Sequence, residues 1–297
     1  MALHRTVFVP QSKYIIIMNK CIYFLLNCVG STESTAVRPL VGDKRRLPAS
    51  GRHERSTRVS KRPRALGADA AAALPWAGCQ ALCALQRLRL DARSSKGKRV
   101  AICGATSGEG CVLIQLLSSW GAHLTVVAPR HAAMTLKGLG AQECVEAGPS
   151  EWAALEARAR SAGPWDAALT CAAARLPPAA VCCTAAVLKV TAPRGSHADL
   201  RPAPLLSDRL PLPLYLVLAA SFCTFRVLRW VCGLGWHSDW LEAPACLRPG
   251  LESLADLVAA GDLAPVLDKV YLPQEFESAL AHACSDEAVG TTVVRFP

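Results

Sequence analysis

The segment Gly104-Ala105-Thr106-Ser107-Gly108-Glu109-Gly110 follows directly on the apolar run Arg99–Cys103 and opens the helix-spaced apolar run Gly110–Trp120. A glycine-rich turn between a buried strand and a helix restricts the chain to few folds. Gly104 permits the tight turn, Gly108 lets a pyrophosphate approach the backbone, and Gly110 lets the helix pack closely on the strand. The helix N-terminus adds free N–H groups for an anion. The pattern predicts a dinucleotide site contacted by Gly104, Thr106, Ser107, Gly108, Glu109 and Gly110. A glycine-rich turn holding no ligand is the alternative.

The flanks extend the same logic. Leu124–Ala128 reads as a strand, His131–Leu139 as a helix, Glu143–Val145 as a strand, Glu151–Ala162 as a helix and Trp165–Cys171 as a strand. A short helix near Pro178–Ala186 and a strand at Val187–Thr191 follow. Beyond a Pro-rich stretch from Arg201 to Pro213 come a helix at Leu251–Ala260, a strand at Val266–Tyr271, a helix at Gln274–Cys284 and a strand at Thr291–Arg295. Ahead of the first strand, Leu74, Ala77, Leu82, Leu85 and Leu88 recur at helical spacing. Alternating strands and helices with short connections predict an α/β fold, a doubly wound parallel (Rossmann) sheet. NAD enzymes place an acid at the end of the second strand for the ribose 2′-hydroxyl. Here that stretch reads Val127-Ala128-Pro129-Arg130-His131. Arg130 offers a planar fork to a 2′-phosphate and Lys137 a second charge, which predicts NADPH in preference to NADH. A solvated loop cation is the other reading of Arg130.

Charge divides the chain. Lys and Arg outnumber Asp and Glu by 10 overall and by 9 within residues 1–70, which leaves residues 71–297 nearly neutral. With the folded part neutral and aromatics at 6%, nucleic acid is not an expected partner. Residues 1–32 carry Arg5, Lys13 and Lys20 without an acid, as targeting segments do, and the Arg/Ser/Gly/Pro-rich stretch after them has little to bury. Residues 1–70 are therefore expected to be a basic, disordered N-terminal segment, and residues 71–297 the folded NAD(P)-binding domain. No apolar window is long enough to predict a transmembrane span. The 14 Cys are irregularly spaced, which favours reduced thiols over a disulfide framework. Cys79 with Cys83, and Cys21 with Cys28, lack a second Cys or His pair at zinc-binding spacing, so no metal site is expected.

Several stretches, Leu74–Leu85, Gly97–Gly110, Leu139–Val145, Leu257–Leu280 and Val289–Val294, together resemble the zinc-free quinone oxidoreductase branch of the medium-chain dehydrogenase/reductases, in particular its mitochondrial, reticulon-interacting members. The resemblance covers residues 71–297. It implies NADPH-dependent hydride transfer to a quinone or enone without zinc, a mitochondrial location in the matrix or at the inner membrane, a reticulon-family partner, and a homodimer. It also marks departures. The family's GroES-like catalytic domain precedes this region, and residues 1–70 cannot supply one, so that domain is expected to be missing or truncated. Residues 1–70 are then either a targeting sequence or the product of an incorrect gene model. Ser107-Gly108-Glu109 stands where the family has paired glycines and a small apolar residue. Thr170-Cys171-Ala172-Ala173 replaces an Asp-Asn-x-Gly segment, and Ala147 replaces a Tyr.

No catalytic residue can be nominated. His131, His197, His237 and His282 are each isolated in sequence, and loop or surface positions are expected for them. A second reading makes the chain a catalytically silent Rossmann-fold interaction module, binding a reticulon-type or mitochondrial partner or pairing through the apolar run Leu212–Phe225. Core burial of that run is the alternative.

Overall fold

The computed structural model describes residues 66–296 except 148–150, 172–173, 175–185, 194, 201–219, 222, 225–226, 229–230, 232–235 and 238–242. It also describes four strands nearer the N-terminus. These are β1 (Ser12–Met18), β2 (Cys21–Asn27), β3 (Ser34–Pro39) and β4 (Val59–Lys61). Then follow α1 (Ala68–Ala73), α2 (Pro75–Arg87), β5 (Arg99–Cys103), α3 (Gly108–Ser119), β6 (His123–Ala128), α4 (Ala133–Gly138), β7 (Glu143–Glu146), α5 (Glu151–Ala162) and β8 (Ala167–Thr170). The series closes with β9 (His197–Asp199), β10 (Trp236–His237), α6 (Ala243–Ala260), β11 (Leu267–Tyr271), α7 (Phe276–Ala283) and β12 (Thr291–Arg295).

The central sheet runs β7-β6-β5-β8-β9-β10 with every neighbouring pair parallel. This is the doubly wound order, and its direction reverses between β5 and β8. From Val100 to Cys103, β5 is buried without a polar side chain, as a strand covered on both faces must be. Its alternation assigns the faces. Val100 and Ile102 join Leu85 of α2, Leu113 of α3 and Leu254 of α6 in the larger core, whereas Ala101 and Cys103 meet Trp152 and Leu155 of α5.

Helix packing on the larger face depends on missing side chains. A Cβ at Gly78 of α2 would come within 2.6 Å of the Leu254 methyls, and one at Gly250 of α6 within 2.9 Å of Cys79 Sγ. Pro75 separates α1 from α2, because proline fits a first helical turn but cannot continue one. At the far end of α2, Arg89 N–H donates to the Gln86 carbonyl and Leu90 N–H to the Leu85 carbonyl, a Schellman closure. Arg89 holds the left-handed position at φ 53°. Gly121 takes the corresponding place after α3, where left-handed backbone is free of Cβ strain.

A second sheet of order β11-β12-β1-β2-β3-β4 lies at the end of the domain. β12 pairs in parallel with β11 and antiparallel with β1, in the register Tyr14 with Arg295 and Ile17 with Thr292.

Three features depart from the sequence reading. Residues 1–70 were expected to be disordered, but they contain four strands. The β-branched and aromatic runs Tyr14–Ile17 and Cys21–Leu26 favour pleated backbone, and composition averaged with the Arg-rich stretch after them conceals this. Val187–Thr191 does not form the expected strand. Leu188 makes one bridge to Trp165, Val190 is fully exposed, and the place beside β8 goes to β9. β9 was missed because its buried residues include His197 and Asp199, which no hydropathy pattern marks as a central strand. The helix expected from Leu251 begins eight residues earlier and runs through Pro249. The expected helix at Pro178–Ala186 lies outside the described residues except for Ala186, as does most of Leu212–Phe225.

Replacing Arg89 with Gly should raise stability by roughly 1 kcal/mol, the cost of a left-handed L-residue. Urea unfolding would measure this, and an unchanged midpoint would show that Arg89 is unstrained.

Candidate dinucleotide site

The glycine-rich turn sits at the C-terminal end of β5, beside the point where strand order reverses, which is the crevice where open α/β sheets bind ligands. Gly104 adopts φ +66°, a conformation that L-residues avoid. Its N–H donates to Glu151 Oε2 at 2.9 Å, a buried contact reaching across to the start of α5. Ser107 caps α3 from extended backbone, its Oγ accepting from Gly110 N–H at 3.1 Å. Gly110 lies so close to the strand end that a Cβ there would meet the Ala105 carbonyl oxygen at 2.6 Å. Backbone cannot yield as a flexible side chain can.

The C-terminal strands brace this turn from outside. Gly290 N–H donates to the Thr106 carbonyl at 2.8 Å, and Ser107 bridges to Gly290. The Gln115 side chain of α3 bonds the Ala264 backbone in both directions, at 3.0 and 2.9 Å. Thr106 and Ser107 are consequently 8% exposed, although they belong to a loop.

Glu109 is the unusual member. It occupies the second position of α3, is 3% exposed, and its Oε2 has no hydrogen-bond partner. Burial pushes its pKa up to about 7, opposed by its own backbone N–H and the Ser107 hydroxyl. The thiols nearby respond in turn. Burial and the Glu109 charge raise Cys171, and the same two causes together with Asp268 push Cys111 up to about 12, so both remain protonated and unreactive.

The remaining expected contacts divide. Arg130 starts the 3-10 turn Arg130–Ala132 just past β6, exposed, on the same sheet edge as Gly104. No acid stands at the end of β6. Lys137 is in the last turn of α4, about 10 Å along the helix from Arg130, where its charge acts on Cys144 of β7. The loop residues and Arg130 are therefore brought to one edge, and Lys137 lies away from it.

Two histidines are not where isolation in sequence put them. His197 is 1% exposed in β9, its Nε2 2.9 Å from Thr170 Oγ1 and its ring edge-on to Trp152. His282 of α7 lies 2.6 Å from Asp268 of β11, with both side chains largely buried. His131 is exposed. Glu151, Gly290 and the Asp268–His282 pair had no sequence signal, because each partner is remote in the chain and an acid at a helix start is ordinary.

Replacing Glu109 with Gln tests its electrostatics by stability. A raised folded-state pKa means that the native chain binds the proton more tightly than the unfolded one. That stabilisation is complete below pH 4.5, the ordinary value, and is lost as pH rises through about 7. The Gln variant should therefore be more stable than the parent above pH 8, by about 3 kcal/mol at most, and the two should converge near pH 5. Denaturant titrations across this range check the sign. Gly110→Ala should cost roughly 1–3 kcal/mol by overpacking, and Gly78→Ala less, since the Leu254 side chain can turn aside.

No family model matches the chain. Mitochondrial NAD(P)H oxidoreductase RTN4IP1 of Bos taurus is 28% identical over 239 residues, which are 80% of this chain and 58% of that protein. The chain thus spans less than two thirds of the curated relatives it matches. The CurK enoyl reductase superposes with TM-score 0.61 at 20% identity, over 81% of this chain and 66% of that one. The quinone oxidoreductase from Coxiella burnetii superposes with TM-score 0.60 at 17% identity, over 92% and 78%. By sequence the chain is similar to the mitochondrial NAD(P)H oxidoreductases RTN4IP1, and its fold resembles that of the CurK enoyl reductase and the Coxiella burnetii quinone oxidoreductase.

Proposed function

We propose that the chain is an NADPH-dependent reductase of quinones or enones whose cofactor lies along the C-terminal edge of the β7–β10 sheet. The observation that carries this reading is the turn at the end of β5. It combines a left-handed Gly104, a Ser107 cap and a Gly110 packed on Ala105 at the start of a 12-residue helix. That cradle fits a pyrophosphate, because α3 presents its N-terminal amides and dipole to the crevice where strand order reverses. Gly104, Thr106, Ser107, Gly108, Glu109 and Gly110 would form the pyrophosphate wall. Arg130 would take the 2′-phosphate through its fork, and Lys137 would add a more distant positive charge. The bound nicotinamide supplies a hydride.

The chain's own part is positioning. The cofactor's phosphates would be held by a turn that Gly290 and Gln115 brace against the second sheet. No residue is assigned to proton transfer. We place the nucleotide-binding domain at residues 71–297. The names of the relatives support a mitochondrial location and a reticulon-type partner.

Replacing Arg130 with Ala should weaken NADPH binding by roughly 10- to 100-fold, the worth of a charge-assisted contact, and leave NADH unchanged. Fluorescence titration of the full chain with both cofactors reads this directly. Equal effects on the two would remove Arg130 from the site. Oxidation of NADPH in the presence of a quinone, followed by loss of nicotinamide absorbance, tests the reaction.

A further inference from the structure

We propose that Glu109 makes cofactor binding proton-linked: the dinucleotide is accepted when Glu109 is neutral, and one proton is taken up as it enters. This deepens the dinucleotide reading above and rests on it. The cofactor's pyrophosphate and the Glu109 carboxylate compete for one feature, the free amide end of α3. The Glu109 backbone N–H and the Ser107 hydroxyl already favour the ionised form of the Glu109 carboxylate. While ionised it satisfies the helix dipole from inside the protein, and a pyrophosphate arriving from the crevice meets a like charge there.

The surroundings leave the carboxylate one way to lose its charge. Cys111 of the same helix and Cys171 beyond β8 face it as neutral thiols. Glu151 of α5 brings a second acid to the turn at Gly104 N–H. Asp268 of β11 lies behind Cys111 and is paired with His282 of α7. Among the described residues no Lys or Arg contributes to its charge state. With Oε2 unpartnered and solvent excluded, neutralisation comes from a proton. Burial sets that protonation near neutrality, so the linkage falls in an accessible pH range.

The test uses the full chain, titrated with NADPH and NADH from pH 6 to 9, with calorimetry in two buffers of different ionisation heat. NADH lacks the 2′-phosphate, which itself titrates near pH 6, and so isolates the protein's contribution. A His131→Gln variant removes the histidine beside Arg130. For the parent chain the dissociation constant should rise by approaching tenfold per pH unit above 7, with close to one proton taken up per cofactor at pH 8. Glu109→Gln should bind at pH 8 as tightly as the parent does at pH 6, with no slope between pH 7 and 9. Glu109→Val, which restores a small apolar residue, should behave alike if the Gln variant folds poorly. Binding by the parent that is independent of pH above 7, or a slope that survives in both variants, would overturn the linkage and leave the dinucleotide site standing. Absence of binding by the parent and both variants at every pH would overturn the dinucleotide reading, and the linkage with it.

Discussion

Gly110 and the Ala105 carbonyl are in such close approach that no side chain fits between them, and this contact sets α3 against the end of β5. The position of α3 then determines much else. Its buried face supplies Leu113, Ile114, Leu116 and Leu117 to the larger core, and its Gln115 holds the segment that leads into β11. Through that segment the second sheet is located relative to the first. A change at one glycine would therefore be felt both at the crevice and at the far sheet, because the helix between them is rigid and close-packed.

Electrostatics at the turn oppose its geometry. The backbone is arranged to receive an anion, yet Glu109 lies within the first turn of α3 and Glu151 accepts the first amide of the turn. Glu151 answers an amide that would otherwise be unmet, whereas the ionised form of Glu109 is opposed by its own burial. On the reading proposed above, an ionised Glu109 would also oppose an arriving pyrophosphate, which would make its protonation state part of the binding equilibrium.

The strands and helices around the turn were readable because their apolar residues recur at the right period and glycines mark the turns. Arg99–Cys103 and Thr291–Arg295 carry this signal over their whole length. Reading failed where burial is polar, as in β9 with His197 and Asp199. It also failed where a partner lies far away in sequence, as between Gly104 and Glu151 or Asp268 and His282. Such contacts are set by the packing of whole elements, and no local window records them. The glycines of the site were legible for the opposite reason, since each answers a backbone requirement a few residues wide.

The pairing of β12 with β1 bears on how the protein can be handled. Tyr14 to Ile17 cover the outer edge of Thr292–Arg295, while β11 covers the inner one. The nucleotide-binding reading rests on residues 71–297, which invites a shortened chain beginning near Ala71. Such a chain would leave β12 with an open row of amides and carbonyls along Thr292, Val293 and Val294, ready to take up a strand from a neighbouring molecule. The shortened protein would then assemble by edge-to-edge addition at high concentration, and the strand Ser12–Met18 would prove to be what keeps the domain separate from its copies.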